Sequence, residues 1–207
     1  VTGYWNEHGK SALFRSRDGI YWELVSMIYE GDRNDETDFE FLLDGTIICT
    51  ARLEFSDSWL GHPDGSTLVA TAKPPYKEWN KTRSRITRLD GPCLFAFDGK
   101  VFATGRRDYT NTGPFWYMGS ILNRKRTSLW HVSPEGLKWL TDFPSAGDTV
   151  YGGVAMRGND IYMCYYSSPI TKDYPWIIGM LGQTDIFMLK CDKDDFRKFV
   201  RAKIEKQ

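Results

Sequence analysis

The chain has 207 residues, with 27 basic against 27 acidic side chains, so its formal net charge is zero. That balance removes the bulk electrostatic case for a nucleic-acid or anionic-membrane partner. No apolar stretch approaches the ~20 residues needed to span a bilayer. Aromatics at 15% and 19 glycines suit a single domain built of many short strands and tight turns.

In chain order, the first 30 residues read as two strands, 11–15 and 23–29, joined by Ser16-Arg-Asp-Gly-Ile-Tyr-Trp22. Two apolar, β-forming runs follow at 39–43 and 47–51, flanking Asp44-Gly45, which is the strongest short-range hairpin signal. Glu36 lies nine residues before Gly45 and Arg52 seven after it. An antiparallel pair therefore delivers both to the same open end, roughly 25 Å from the turn. The unit recurs at Phe97-Asp98-Gly99-Lys100, with Asp90 nine before the glycine and Arg106 seven after it. A weaker copy turns on Gly158-Asn159-Asp160 between Tyr151 and Tyr166. A second signal alternates with these hairpins: aromatic-ended turns close at Trp22, Trp79, Trp139 and Phe199, each after a strand-like run.

Hairpins repeating at 54 and then 60 residues predict a β-propeller. The expected fold is all-β, with radial four-stranded antiparallel blades: half a blade, then whole blades at 31–83, 84–145 and 146–207. A short helix near 194–200 is the one exception. Three and a half blades do not close a ring, so the sequence reads either as the C-terminal part of a longer propeller or as one that closes by association with another copy; the first reading is preferred, with one partial domain over 1–207.

The four cysteines, Cys49, Cys93, Cys164 and Cys191, are too scattered for a zinc motif. They read as free thiols, with Cys49 and Cys164 inside strands, which fits a reducing compartment. His8, His62 and His131 share no ligand spacing. The segment Asp32-x-Asn34-x-Glu36-x-Asp38 alternates oxygen ligands like a calcium loop. It has Thr37 and Leu43 where such a loop needs Gly and Glu. No metal and no cofactor is implied.

The Ser16-x-Asp18-Gly19-x-x-Trp22 turn resembles the Asp-box of sialidase-type propellers, one spacer residue shorter than the common form. Further matches follow in order. Sialidases carry a Glu about nine residues before a strand-turn Gly and an Arg seven after it, as Glu36 and Arg52 stand here. They carry a further Arg shortly before a Leu-aromatic strand, which Asn123-Arg-Lys-Arg-Thr-Ser-Leu-Trp130 supplies as Arg124, with Arg126 as the alternative. Their nucleophilic Tyr lies in a Gly-Asp-x-x-Tyr-like segment, matched by Gly147-Asp-Thr-Val-Tyr151-Gly-Gly153. The order and spacing hold over nearly the whole chain.

The resemblance implies a six-bladed ring and an exo-glycosidase that cleaves a terminal, anionic sugar from a glycan. Tyr151 would be the nucleophile and Glu36 its base. Arg52 and Arg124 would fork onto the anionic group, with Arg106 and Tyr166 completing the substrate-binding candidates. A carboxylated sugar repels a carboxylate nucleophile, whereas a phenol is neutral until it reacts. A free tyrosine, with a pKa of about 10, needs a base within hydrogen-bond reach. Two departures stand out: the family's first arginine and its acid/base aspartate lie upstream of this sequence, and Tyr166 stands where the family has a glutamate. Plainer readings exist as well. Tyr151 can be a core tyrosine, Glu36–Arg52 a structural ion pair, Arg124-Lys-Arg126 a solvated turn, and Asp90 and Arg106 blade scaffold. The loop aromatics Tyr109, Phe115, Trp116, Tyr117 and Trp176 can stack on sugars or cover blades, and Trp5 reads as core. The alternative function is a non-catalytic carbohydrate-binding or protein-binding propeller.

Overall fold

A computed structural model describes residues 9–110 and 116–204; Trp5, His8 and Phe115 lie outside the described residues. Strands β1 (Lys10–Ser16) and β2 (Trp22–Glu30) pair as a two-stranded sheet. A four-stranded sheet follows in simple meander order, β3 (Asn34–Phe41), β4 (Ile47–Leu53), β5 (Ser66–Ala72) and β6 (Asn80–Ser84). The next repeats that order with β7 (Asp90–Phe97), β8 (Lys100–Asp108), β9 (Lys125–Ser133) and β10 (Gly136–Asp142). The last holds β11 (Thr149–Arg157) and β12 (Asp160–Ser167). After the short helix α1 (Trp176–Met180) it adds β13 (Asp185–Asp192). The sheets are β-propeller blades. Among the described residues no helix is long and apolar enough to cross a membrane.

The expectation of a whole four-stranded blade at 146–207 is corrected at its end. After β13 the chain forms a twelve-residue helix, α2 (Lys193–Ile204), longer than the expected 194–200. The Oδ1 of Asp192 accepts the N–H groups of Asp194 at 2.7 Å and Asp195 at 3.3 Å, capping the start. Apolar residues at 196, 199, 200 and 204 recur with the helical period and cannot share one face of a strand. Phe196 docks edge-on against Phe97 and Phe102 at centroid distances of 5.3 and 5.4 Å, so α2 clamps the last blade to the one before it.

The core lies between blades and follows from strand alternation. Ile47, Cys49, Ala51 and Leu53 of β4 face Leu13 and Ile28 of the first sheet, while Ile48 faces the other way. On the other side of that sheet Ile48 and Val69 meet Val101, Ala103 and Trp130. Phe102 and Leu129 point oppositely, to Ile161, Met163 and Tyr165. Inner strands buried on both faces therefore read as nearly continuous apolar runs.

Each inner hairpin contains the same irregularity. Pairing steps from Asp35↔Arg52 to Asp38↔Thr50, from Asp90↔Arg106 to Cys93↔Thr104, and from Val150↔Tyr166 to Gly153↔Cys164. One extra residue is thus bulged into β3, β7 and β11 at corresponding places. The first bulged residue is left-handed in all three, with φ of 28° at Glu36, 54° at Gly91 and 45° at Tyr151. This corrects the register expected from the turns. Glu36 corresponds to Gly91 and Tyr151, whereas Asp90 corresponds to Asp35. The turn after β3 takes residues 42–46 and that after β7 only Asp98 and Gly99, so counting back from the glycine slips by one.

Gly91 is required where it stands. A Cβ there would lie 2.4 Å from Val150 Cγ2 and 3.0 Å from Tyr151 Cδ1. Gly158 has a similar φ of 57° but open space around it. Gly158→Ala is expected to cost only the left-handed strain, about 1–2 kcal/mol. Gly91→Ala should cost that and the overpacking, about 1–3 kcal/mol more. Urea unfolding of the two variants checks the difference, and equal losses would contradict the contact assigned to Gly91.

Candidate functional site

The bulges turn Glu36 and Tyr151 towards each other at one end of the blades. Tyr151 Oη donates to Glu36 Oε1 at 2.9 Å, across 115 positions of sequence. The other carboxylate oxygen accepts the Gly91 N–H at 2.8 Å and faces Arg52 Nη1 at 2.8 Å. Glu36 is therefore fixed by one residue from each of two neighbouring blades as well as its own strand partner. Tyr151 remains 60% exposed, so its ring faces solvent while its hydroxyl is held. Burial of the hydroxyl, together with the adjacent Glu36 charge, pushes the phenol well above its usual range and keeps it protonated.

Beneath this pair lies a network of buried charges. Arg52 grips Asp35 with two parallel bonds, Nε to Oδ1 at 2.7 Å and Nη2 to Oδ2 at 2.6 Å. It also faces Glu54 at 3.3 Å and Asp90 at 3.7 Å. Asp90 accepts Nε and Nη2 of Arg88 at 2.8 and 3.0 Å and Nε of Arg106 at 3.2 Å. Burial alone would raise the Asp90 pKa, but Arg88, Arg106 and Arg52 outweigh it and hold the carboxyl well below the usual carboxylate range. Glu54 goes the other way, because burial outweighs the nearby arginines and raises it.

Arg106 continues the network outward. Its Nη1 donates to Asp148 Oδ1 at 3.2 Å, and its guanidinium lies 4.4 Å from the centre of the Trp176 ring. Trp176 Nε1 and Tyr166 Oη both donate to Asp148, at 2.7 and 3.2 Å. Burial and the Asp148 charge push the Tyr166 hydroxyl up to about 12. Tyr166 thus meets the Asp148 carboxylate, and its ring lies 6.3 Å from that of Tyr151.

The expected residues divide plainly. Glu36, Arg52 and Tyr151 come together, and Arg106 and Tyr166 join them through Asp90 and Asp148. Arg124 does not. Its Nε donates to the Asp173 carbonyl at 3.0 Å and it is half-exposed, while the alternative, Arg126, pairs with Asp173 at 2.8 Å. Alternation along β9 decides this: the inward residue is Lys125, fully buried against Asp108 and 5.4 Å from the Trp176 ring. Arg52, expected to fork onto a substrate anion, has that fork filled by Asp35. Asp90, read as scaffold, is the centre of the charge network. Asp35, Glu54 and Arg88 carry no local signal in the sequence, whereas Lys125 and Asp148 lie inside the Asn123-to-Trp130 and Gly147-to-Tyr151 segments.

Among the described residues, the segments that follow the second strands of these hairpins, 54–65, 109–110 with 116–124, and 168–184, start from this same rim. A cavity of about 640 Å³ lined by Lys73, Pro75 and Trp79 opens at the opposite, turn end of the blades and shares no residue with the cluster. Among the described residues no group of His, Cys, Asp and Glu is arranged to hold a metal ion.

No protein-family model matches the chain, and no curated protein matches it in sequence. Solved structures do match in fold. An α-L-arabinofuranosidase from Fusarium graminearum superposes with a TM-score of 0.53 at 12% identity, over 89% of this chain and 50% of its own. An α-L-arabinanase from Penicillium chrysogenum complexed with arabinobiose gives 0.52 at 13% identity, over 89% and 50%. The endosialidase of phage phi92 gives 0.57 at 14% identity, over 88% and 31%. The chain therefore spans half the length of the first two and about a third of the last. What it shares with these glycoside hydrolases is the β-propeller fold.

Proposed function

We propose that the protein is a glycoside hydrolase of the sialidase type, acting on a glycan or glycoconjugate with Tyr151 as nucleophile and Glu36 as its base. The observation that carries this reading is the 2.9 Å hydrogen bond from the Tyr151 hydroxyl to Glu36, made by two residues that both hold a strained left-handed backbone. Such strain costs on the order of 1–3 kcal/mol per residue and clusters at functional sites. A core tyrosine would need neither the exposure of its ring nor a partner fixed from three sides.

The chemistry runs as a double displacement. As Tyr151 Oη bonds to the anomeric carbon, its proton passes to Glu36 and the bond to the leaving oxygen breaks. The raised phenol pKa makes this transfer necessary: a free tyrosinate beside Glu36 is disfavoured, whereas moving the proton within the pair leaves the net charge unchanged. Water then attacks the anomeric carbon, passing a proton to the residue that protonated the leaving group, and the departing tyrosine oxygen recovers its proton from Glu36. Arg52 and the Gly91 N–H hold the Glu36 carboxylate in line throughout. Protonation of the leaving group falls to another residue, since Glu36 is engaged on Tyr151.

Tyr151→Phe keeps the ring and removes the hydroxyl. Turnover of activated aryl glycosides should vanish while the melting temperature barely moves. Glu36→Gln should lower kcat by about 10²–10⁴-fold, the usual worth of a general base. Undiminished turnover in Tyr151→Phe would remove the nucleophile and leave a carbohydrate-binding propeller as the better account.

The pair also has a spectroscopic signature. In an alkaline titration followed by tyrosinate absorbance, Tyr151→Phe should lose one tyrosine that titrates above the ordinary value of about 10. Removing the neighbouring negative charge with Glu36→Gln favours the tyrosinate, so the same tyrosine should titrate at lower pH. A titration unchanged by Glu36→Gln would show that the two side chains are not coupled.

A further inference from the structure

We infer that the sugar held against Tyr151 carries no negative charge, in place of the anionic sugar that the sialidase resemblance implies, an inference that rests on reading Tyr151 and Glu36 as the point of glycosidic attack. A carboxylated sugar needs guanidinium groups with donors to spare. Here all three nitrogens of Arg52 face carboxylates, those of Asp35, Glu36, Glu54 and Asp90. Those of Arg88 are likewise taken by Asp90 and Glu54. Arg106 bonds Asp90 through Nε and Asp148 through Nη1, and the Trp176 ring lies against its guanidinium.

The balance of charge points the same way. Among the described residues the network joins three guanidiniums to five carboxylates, 3 − 5 = −2 in formal charge. The carboxylates of Glu54 and Asp148 are also the more exposed, at 17% and 18% of their side chains, against 7% and 6% for Arg88 and Arg106. An incoming anion would meet negative oxygens first. To free Arg52 it would have to strip Asp35, whose side chain is wholly inaccessible, of its bidentate partner.

An uncharged sugar suits the same surface. Carboxylate oxygens accept hydroxyl hydrogens, and aromatic faces cover the C–H side of a ring. Trp59 is 75% exposed and Trp116 38%. They stand on loops of this rim that are tied together by the bonds Ile121 N–H to Trp59 O and Tyr117 N–H to Leu60 O, both 2.9 Å. A neutral nucleophile also fits this setting, because the negative field it must tolerate comes from the protein's own carboxylates.

The test uses matched glycosides that differ in charge alone. Fluorescently tagged glucoside and glucuronide, galactoside and galacturonide, and a sialoside with its methyl ester are titrated against the full chain carrying Tyr151→Phe, which binds without turnover. In at least one pair the uncharged member should bind, and more tightly than its carboxylated twin by about tenfold or more. Asp148→Asn, which removes one negative charge and releases a donor of Arg106, should shrink that preference about tenfold. A carboxylated member held more tightly than its twin overturns the inference, as does failure of every member to bind. In either case the hydrolase reading is decided separately, by whether turnover in the unaltered protein disappears with Tyr151→Phe. If Asp148→Asn does not fold, the pairwise preference alone decides.

Discussion

The carboxylate of Asp90 is the point on which the described charges converge. Arg52 comes from β4, Arg106 from β8 and Arg88 from the link before β7, and each reaches it within 3.7 Å. Taking such groups out of water costs several kcal/mol each, and mutual attraction offsets that only when every donor has an acceptor. The network extends outward to supply acceptors, to Asp35 and Glu54 on one side and Asp148 on the other. The result is that the first, second and third hairpins cannot shift independently. Moving one blade would leave a buried charge unpaired in another.

On this rigid floor the bulges set the upper layer. An undisturbed strand would point residues 36 and 151 according to the pleat of their own sheets. One extra residue in each inner strand breaks that alternation at matching heights and lets the two side chains meet. The middle blade has glycine at the same step, and its lack of a side chain leaves room for the Tyr151 ring while its N–H binds Glu36. The three copies of one irregularity are thus used differently: one for an acid, one for space, one for a phenol. The same geometry explains why Tyr151 is exposed and yet its hydroxyl is restrained.

Repetition and contact chemistry were legible in the sequence to different degrees. The hairpin glycines, the alternating apolar runs and the aromatic-ended turns are local features, so the blades and most strand positions could be read from them. The pairing of Glu36 with Tyr151 was also within reach, because equivalent repeat positions in a propeller come to one rim. Arg124 shows the limit. Its motif marked the right strand end, but which residue of Arg124-Lys125-Arg126 faces inward depends on where the strand begins to pleat. The last blade shows another, since the helical period at 196–204 competes with a blade template and prevails through capping by Asp192 and docking on Phe97 and Phe102.

The sequence by itself determined the all-β repeat, the location of the turns, and which short segments carry chemistry, because strand propensity and turn residues act over a few neighbours. Only the tertiary structure decided what those residues do to one another. Whether an arginine is free for a ligand or committed to a carboxylate depends on groups 17 to 55 positions away, as Asp35 for Arg52 and Glu36 for the Gly91 amide make plain. Electrostatic energy falls with distance in space, not along the chain, and burial multiplies it. A charge's role is therefore set by the partners the fold delivers.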